Sequence, residues 1–188
     1  MSDSPADGFP LRQTGELRKG RISLAGATYF VTFGTARRIP ALAVPAAIPA
    51  AHSICRRLVQ DGDVSAFTAT VMPDHVHLLF ELGGQLALDR VVAKWRALVR
   101  RSVEGLEWQA NFFEHRLRAH EASEPYAWYI FMNPYRAGLI TDDKPWPGWW
   151  TDEAVAHGFL AMTRLGPCPQ PEWLGQMDER TRGLITGE

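Results

Sequence analysis

The stretch VMPDHVHLLFEL, residues 71–82, places two histidines one residue apart inside a run that is typical of a β-strand. A second strand is predicted over residues 65–72, and the Pro-Asp pair before His75 makes a tight connection between the two. Successive side chains of a strand point to opposite faces, so His75 and His77 share one face. The stretch therefore predicts a β-hairpin that carries two neighbouring imidazoles.

Working outward from this hairpin, the hydrophobic patterns predict further strands and helices on both sides. These are a strand over 27–36, a helix over 46–60, a helix over 88–103, a strand over 108–113 and a helix over 123–133. The order is that of a ferredoxin-like β-α-β-β-α-β fold. We therefore expect the α+β class, an antiparallel central sheet with the helices on one face, a further C-terminal helix and an irregular tail.

The predicted helix over 123–133 carries the residues that bear most on function. Ser123 is placed to cap its start, Pro125 is tolerated in the first turn, and the Asn133-Pro134 pair is expected to end it. Tyr129 and Asn133 are one turn apart and lie on the same side of this helix.

The chain divides into three predicted regions: a flexible N-terminal arm over 1–20, one domain over 21–140 and a Pro- and Trp-rich C-terminal extension over 141–188. The first 140 residues carry a net charge of +3 and the remainder −4, so the domain is the basic part. No apolar run reaches the roughly 18 residues of a membrane span. Two distant cysteines, Cys55 and Cys168, and the absence of a signal-like start favour a cytoplasmic location.

Two histidines on one rigid strand could provide two corners of a coordination sphere for a divalent metal. A structural role on the strand is an equally good explanation of the pair taken alone. A tyrosine such as Tyr129 could attack a phosphodiester and hold the phosphate covalently, with no need for ATP. A metal held by two imidazoles and an amide oxygen could polarise that phosphate, and Mg²⁺ or Mn²⁺ would suit this chemistry.

Four motifs occur in a characteristic order: PDHVHLLFEL at 73–82, KWRALVRR at 94–101, WQANFFEHRLR at 108–118 and YIFMNPYRAGLI at 129–140. As an ordered set, they resemble the Y1 HUH transposase superfamily of IS200/IS605 elements. Within that superfamily they are most similar to the REP-associated tyrosine transposase group. The resemblance covers residues 21–140 and leaves the C-terminal extension unassigned.

The resemblance implies a single-strand DNA endonuclease and strand transferase that acts at hairpin or palindromic sites through a 5′-phosphotyrosine intermediate. It implies that His75 and His77 are the metal ligands, Tyr129 is the nucleophile, and Asn133 is the third ligand. The alternative role of Asn133 is a C-terminal helix cap. Tyr126 is the rival nucleophile on nearly the same helical side, and helical spacing alone barely separates it from Tyr129.

The basic residues of the domain would supply contacts to DNA phosphates, and aromatic residues such as Tyr29, Phe112 or Phe113 could stack on unpaired bases. The candidate phosphate contacts are Arg90, Lys94, Arg96, Arg100, Arg101, Arg116, Arg118 and Arg136. Such arginines are more often an ordinary solvated face. The expected partner is single-stranded or hairpin DNA, bound by a monomer or a homodimer.

Two other functions remain open from the sequence. The first is a non-catalytic single-stranded nucleic-acid-binding protein of the same fold. The second is a metal-dependent phosphodiesterase that uses His75 and His77 with an activated water and forms no protein–DNA adduct. Glu114, His115, His120 and Glu121 follow the fourth strand and receive no role.

Overall fold

The computed structural model describes residues 23–141 and 144–163, together with residue 179. Its strands are β1 (Thr28–Gly34), β2 (Val64–Val71), β3 (His75–Leu82), β4 (Phe113–Arg116) and β5 (Trp149–Thr151). Its helices are α1 (Ala47–Gln60), α2 (Leu88–Arg100), α3 (Glu124–Arg136) and α4 (Phe159–Thr163), and a short 3₁₀ helix covers Ala36–Arg38.

The strands form one antiparallel sheet in the order β4-β1-β3-β2-β5. The first four strands with α1 and α2 have the ferredoxin-like order, so the predicted fold is confirmed. The hairpin of β2 and β3 is confirmed as well, and β3 begins at His75 as predicted. In the register of β1 and β3, Gly34 lies opposite His75 and Thr32 lies opposite His77.

The two faces of the sheet are covered by different helices. The apolar faces of α1 and α2 pack in one core cluster with Val76, Leu78 and Phe80 of β3. The alternate residues Phe30 and Leu79 form a second cluster with α3. Because side chains alternate along a strand, His75 and His77 lie on the face that α3 covers. Helix α3 therefore covers the sheet face that α1 and α2 leave open.

The predicted fourth strand over 108–113 is wrong, since the strand that pairs with β1 begins only at Phe113. Trp108 makes an isolated bridge with Thr35. Its ring packs against Phe33 and Trp95 at centroid distances of 5.3 and 5.8 Å. The aromatic residues before Phe113 thus suggested a strand, whereas Trp108 extends the core beneath α2.

Helix α3 starts near the predicted residue but does not end at Asn133, because it continues through Pro134 to Arg136. A proline inside a helix removes one backbone hydrogen bond, a loss that the packing of the buried Pro134 outweighs here. Ser123 makes no side-chain cap, contrary to prediction, since it already has helical torsions. Pro125 lies in the first turn as expected.

The C-terminal extension adds β5 to the outer edge of β2, with Thr151 opposite Thr68. Phe159 of α4 joins the core cluster under α3. The predicted arm over 1–20 and Cys168 lie outside the described residues, while Cys55 is a buried free cysteine. Within the described part of the chain, no helix is both long and apolar enough to cross a membrane.

Candidate active site

The histidine pair of β3 is buried and its two rings converge. His75 is 6% exposed and His77 is inaccessible to solvent. The Nε2 atoms of the two rings are 3.0 Å apart. The Nδ1 of His75 lies 2.7 Å from Asp74 Oδ1 and 3.4 Å from Arg38 Nη2, and the Nδ1 of His77 lies 2.8 Å from Thr32 Oγ1.

These partners restrict the tautomer of His75 but not that of His77. The carboxylate of Asp74 only accepts hydrogen bonds, so its 2.7 Å contact, shorter than the 3.4 Å approach of Arg38 Nη2, places a proton on His75 Nδ1; the neutral ring then has its lone pair on Nε2. The hydroxyl of Thr32 both donates and accepts, so it supports either tautomer of His77. His77 can therefore donate from Nε2 to His75, or turn its own Nε2 lone pair towards a shared cation.

The electrostatics keep His77 neutral. Burial lowers its pKa well below the usual value, and the nearby His75 and Arg38 act in the same direction. A hydrogen bond to the Asn133 side chain opposes this effect without reversing it. A neutral imidazole is the form that binds a metal ion.

Tyr129 of α3 lies against this pair. Its ring centroid is 5.5 Å from that of His77 and 6.0 Å from that of Phe30. The guanidinium of Arg136 lies over the Tyr129 ring, 5.3 Å from the centroid. The structure therefore brings together Tyr129, His75 and His77, which the sequence places on separate elements.

The rival tyrosines occupy different surroundings. Tyr126 is buried like Tyr129, which is 5% exposed, but the ring of Tyr126 stacks on His115 at a centroid distance of 5.6 Å. Tyr135 is partly exposed, and its hydroxyl donates to the Lys144 carbonyl oxygen at 2.8 Å. The ring of Tyr129, by contrast, contacts His77 of the β3 pair.

Asn133 lies one turn beyond Tyr129, and its side chain is close enough to His77 to raise the pKa of that imidazole. Because α3 continues to Arg136, Asn133 is not its C-terminal cap, and that alternative is wrong. Its Nδ2 atom is buried and has no hydrogen-bond partner among the residues that the structure describes. The amide thus presents unmet hydrogen-bonding capacity beside the imidazole pair.

The donor set fits a divalent cation. Two nitrogens bound to one metal at right angles, each about 2.1 Å from it, lie about 3 Å apart, which is close to the spacing of the two Nε2 atoms. Asn133 supplies an amide oxygen of the kind that Mg²⁺ and Mn²⁺ accept. Within the described ranges, no group of three or more His, Cys, Asp or Glu residues is suited to a metal.

The predicted phosphate contacts do not form one surface. Helix α2 packs on the sheet face opposite Tyr129, so its arginines lie away from the histidine pair. Lys94 binds Asp61 and Asp63 at 2.8 and 2.5 Å, and these hydrogen bonds raise its pKa. Arg96 packs over the Phe33 ring at 4.7 Å and donates to the Asn111 carbonyl oxygen.

Other predicted DNA contacts are exposed and differ in position. The exposed members on α2 or directly after it are Arg90, Arg100 and Arg101, and those at or beyond β4 are Arg116 and Arg118. Arg136 is exposed at the end of α3 and is the member of the predicted set that contacts Tyr129.

Two of the residues left without a role, His115 and Glu121, contact each other away from the histidine pair. His115 Nε2 lies 3.0 Å from Glu121 Oε2, and the same oxygen accepts the Arg118 backbone N–H at 2.6 Å. Burial raises the pKa of Glu121, but these hydrogen bonds and the neighbouring charges outweigh it and lower the pKa overall. The group ties the segment after β4 into a turn beneath Tyr126.

Three residues around the histidine pair were missed by sequence reasoning: Thr32, Arg38 and Asp74. Thr32 could have been found from strand pairing, because a residue opposite His77 on β1 shares its face. Asp74 directly precedes His75, and a carboxylate beside a metal-binding histidine is a common supporting partner. Nothing in the sequence pattern brings Arg38 to this site.

Comparison with known proteins adds the family. Residues 24–121 match the family described as "Transposase IS200 like". The chain belongs to this family. The range shared with the IS200-like transposases contains His75 and His77 and ends before α3. The assignment of Tyr129 and Asn133 to the site therefore depends on their geometry and on similarity outside this range.

That wider similarity extends beyond the IS200-like range. The chain is 23% identical to the REP-associated tyrosine transposase of Escherichia coli (strain K12) over 167 residues, which are 87% of this chain and 94% of that protein. The predicted resemblance is therefore confirmed. A solved structure of a REP-associated tyrosine transposase bound to a REP hairpin has the same fold, with a TM-score of 0.60, 20% identity and coverage of 81% of this chain and 90% of that one.

Proposed function

We propose that this protein cleaves and rejoins single-stranded DNA at hairpin or palindromic sites, with Tyr129 as the nucleophile. The observation that carries the proposal is the contact between the rings of Tyr129 and His77, 5.5 Å apart at their centroids. A phenol beside paired imidazoles and an amide is suited to phosphoryl transfer. Membership of a transposase family supports the same chemistry.

In the cleavage step, the Tyr129 oxygen attacks the phosphorus of a phosphodiester and forms a new P–O bond. The bond from phosphorus to the 3′ oxygen breaks, and that oxygen leaves with the bonding electrons. It takes up one proton while the phenol gives up one. The products are a 5′-phosphotyrosine and a free 3′ hydroxyl, and a second 3′ hydroxyl can reverse the step to rejoin strands without ATP.

His75, His77 and Asn133 would hold a divalent cation, with Mn²⁺ suited to the imidazole pair at least as well as Mg²⁺. When bound, the cation would polarise the scissile phosphate and stabilise the leaving oxygen. The chain's own contribution is orientation: Asp74 and Thr32 hold the two rings, and the neutral state of His77 keeps a nitrogen lone pair available.

The hairpin substrate is supported by the structural relative, which was solved bound to a REP hairpin. The basic balance of residues 1–140 is compatible with DNA as a partner. Arg136, exposed beside Tyr129, is the best-placed residue for a contact to the phosphate that is cleaved.

The test is to incubate the full chain with Mn²⁺ and a DNA hairpin that carries single-stranded flanks, and then to separate the products on a denaturing gel. A covalent protein–DNA band is expected for the unchanged protein and for Tyr126→Phe. Tyr129→Phe should fold normally and give no band. A band that persists in Tyr129→Phe and disappears in Tyr126→Phe would transfer the role to Tyr126.

Two further outcomes would contradict the proposal in different ways. Hairpin binding with neither cleavage nor adduct would favour a non-catalytic binding protein of this fold. Cleaved DNA without any adduct, unaffected by Tyr129→Phe, would favour attack by an activated water.

A further inference from the structure

Arg38, Asp74 and His75 form a continuous chain of contacts that leads into the active site from the edge of the sheet. Arg38 Nε lies 2.7 Å from Asp74 Oδ2, and Asp74 Oδ1 lies 2.7 Å from His75 Nδ1. The far side of the His75 ring then reaches His77, with 3.0 Å between the Nε2 atoms. Both carboxylate oxygens of Asp74 are therefore engaged, one by the arginine and one by the histidine.

The backbone that carries Arg38 has an unusual conformation. Arg37 and Arg38 both have positive φ, at 55° and 57°, in the left-handed region that residues with a side chain rarely adopt. The segment is held against the turn before β3, because Thr35 N–H donates to the Asp74 carbonyl oxygen and Leu42 N–H donates to that of Pro73. Strained backbone of this kind persists where surrounding contacts require it, and here it delivers the arginine to Asp74.

The end of β1 also leaves room for the guanidinium. Gly34 lies opposite His75 in the β1–β3 register. A Cβ atom at this position would come within 3.3 Å of Arg38 Nη1. The Gln109 side chain lies at the same distance from this position, so both side chains pack closely over the Gly34 backbone.

We propose that Arg38 and Asp74 are positioning residues that fix the tautomer and the direction of His75, and through it the affinity of the site for a divalent cation. The carboxylate requires a proton on His75 Nδ1 and so leaves the Nε2 lone pair facing His77. The arginine holds the carboxylate in place through a charge-assisted hydrogen bond. This inference rests on the proposed metal-dependent function, but it concerns residues outside the set of ligands.

The competing explanation is that Arg38 and Asp74 are merely an ion pair that pins the 3₁₀ segment to the turn before β3. A pinning role would change the melting temperature of the metal-free protein and leave cation affinity unchanged. A positioning role would lower cation affinity clearly while the melting temperature of the metal-free protein changes little. The two explanations are therefore separable without any measurement of DNA cleavage.

The first experiment measures Mn²⁺ binding to the full chain by the loss of the free-ion signal in electron paramagnetic resonance. Asp74→Ala and Arg38→Gln are expected to raise the dissociation constant about tenfold or more, the usual effect of losing a residue that supports a metal ligand. Arg38→Lys should restore part of the affinity. Arg37→Gln is the matched control, since Arg37 is adjacent, exposed and equally left-handed, and it should bind like the unchanged protein.

The second experiment needs no metal. Long-range ¹H–¹⁵N correlation spectra of the metal-free protein report which ring nitrogen of each histidine is protonated. His75 should be protonated at Nδ1 in the unchanged protein and in Arg37→Gln, and should become a mixture of tautomers in Asp74→Ala. Melting temperatures of the same samples show whether each variant is folded.

The outcomes separate this inference from the proposed function. Unchanged Mn²⁺ affinity in both Asp74→Ala and Arg38→Gln would overturn the positioning role while leaving the metal site intact. If the unchanged protein takes up no Mn²⁺, the metal-dependent function fails, and the tautomer of His75 then decides the inference by itself. A His75 protonated at Nε2 in the unchanged protein would overturn it in either case.

Discussion

The ring of His77 stands edge-on to the ring of Tyr129, with an interplanar angle of 81° and the centroids 5.5 Å apart. His77 belongs to the central strand β3, whereas Tyr129 belongs to α3 on the surface of the sheet. The contact exists because α3 packs on the sheet face that α1 and α2 leave free. Phe131 of the same helix is held from the other side by Trp149 and Phe159 of the C-terminal extension, at 5.1 and 5.3 Å.

Replacement of Asn133 by alanine should weaken Mn²⁺ binding by about tenfold, because the amide oxygen proposed as the third ligand would be lost. The melting temperature of the metal-free protein should fall slightly, because the Asn133 side chain interacts with the buried His77. Mn²⁺ titration and thermal unfolding check the two halves of this prediction. Asn111→Ala, at the chain's other described asparagine, is the control, and equal affinity of the two variants would exclude Asn133 as a ligand.

Arg136→Gln should lower adduct formation and hairpin affinity, because its guanidinium lies over the Tyr129 ring. The slope of log affinity against log salt should fall by about 0.7 if the contact is to single-stranded phosphate. Arg100→Gln removes the same charge from the exposed side of α2, on the opposite sheet face, and should leave both quantities unchanged. Fluorescence anisotropy over a salt series measures both variants, and a larger loss in Arg100→Gln would place the DNA on the other face.

Stability should fall as the pH drops below about 6.5, in part because of His157. Burial lowers the pKa of this histidine, although the Glu124 carboxylate acts in the opposite direction. Between the lowered folded pKa and the usual value of about 6.5, the unfolded chain binds more protons than the folded one, so acid favours unfolding. The contribution of His157 to stability is complete above the pKa of the unfolded state. It is lost as the pH falls towards the pKa of the folded state.

Urea unfolding at a series of pH values between 5 and 8, in the manner of a linkage experiment, measures this dependence. His157→Gln should be less stable at neutral pH, because the contact of His157 Nε2 with Thr68 Oγ1 at 2.8 Å is changed. It should also lose stability less steeply in acid. Part of the dependence of stability on pH should remain in this variant, since burial also lowers the pKa of His52 and His77. A variant with the unchanged slope would show that His157 titrates normally.

Gly83→Ala should destabilise the fold by about 1–3 kcal/mol, the usual cost of overpacking. A Cβ at this position would collide with the backbone carbonyl oxygen of Gly62, which cannot move aside like the end of a flexible side chain. Gly84→Ala is a matched control in the next position, where a Cβ would meet no atom within 4 Å. Urea denaturation of the two variants should differ accordingly, and equal stabilities would mean that the end of β3 adjusts freely.

The elements with strong periodicity were predictable because their signals are local. The start of β3 at His75 and the amphipathic face of α2 follow from side-chain alternation and from helical spacing. The prediction failed where packing overrode local preference. Trp108 joined the core instead of a strand, and α3 continued through Pro134, because buried contacts made by these residues outweigh the local signal.

The pairing of His75 with His77 on one face was determined by the sequence itself, because two residues two positions apart on a strand must point the same way. Tertiary structure alone decided that Tyr129, and not Tyr126, meets this pair, since the two tyrosines are separated by less than one helical turn. It also decided that Arg38 reaches Asp74 and that the basic helix α2 lies on the opposite face. Such relationships depend on how layers pack, and packing is set by contacts between residues that are far apart in the chain.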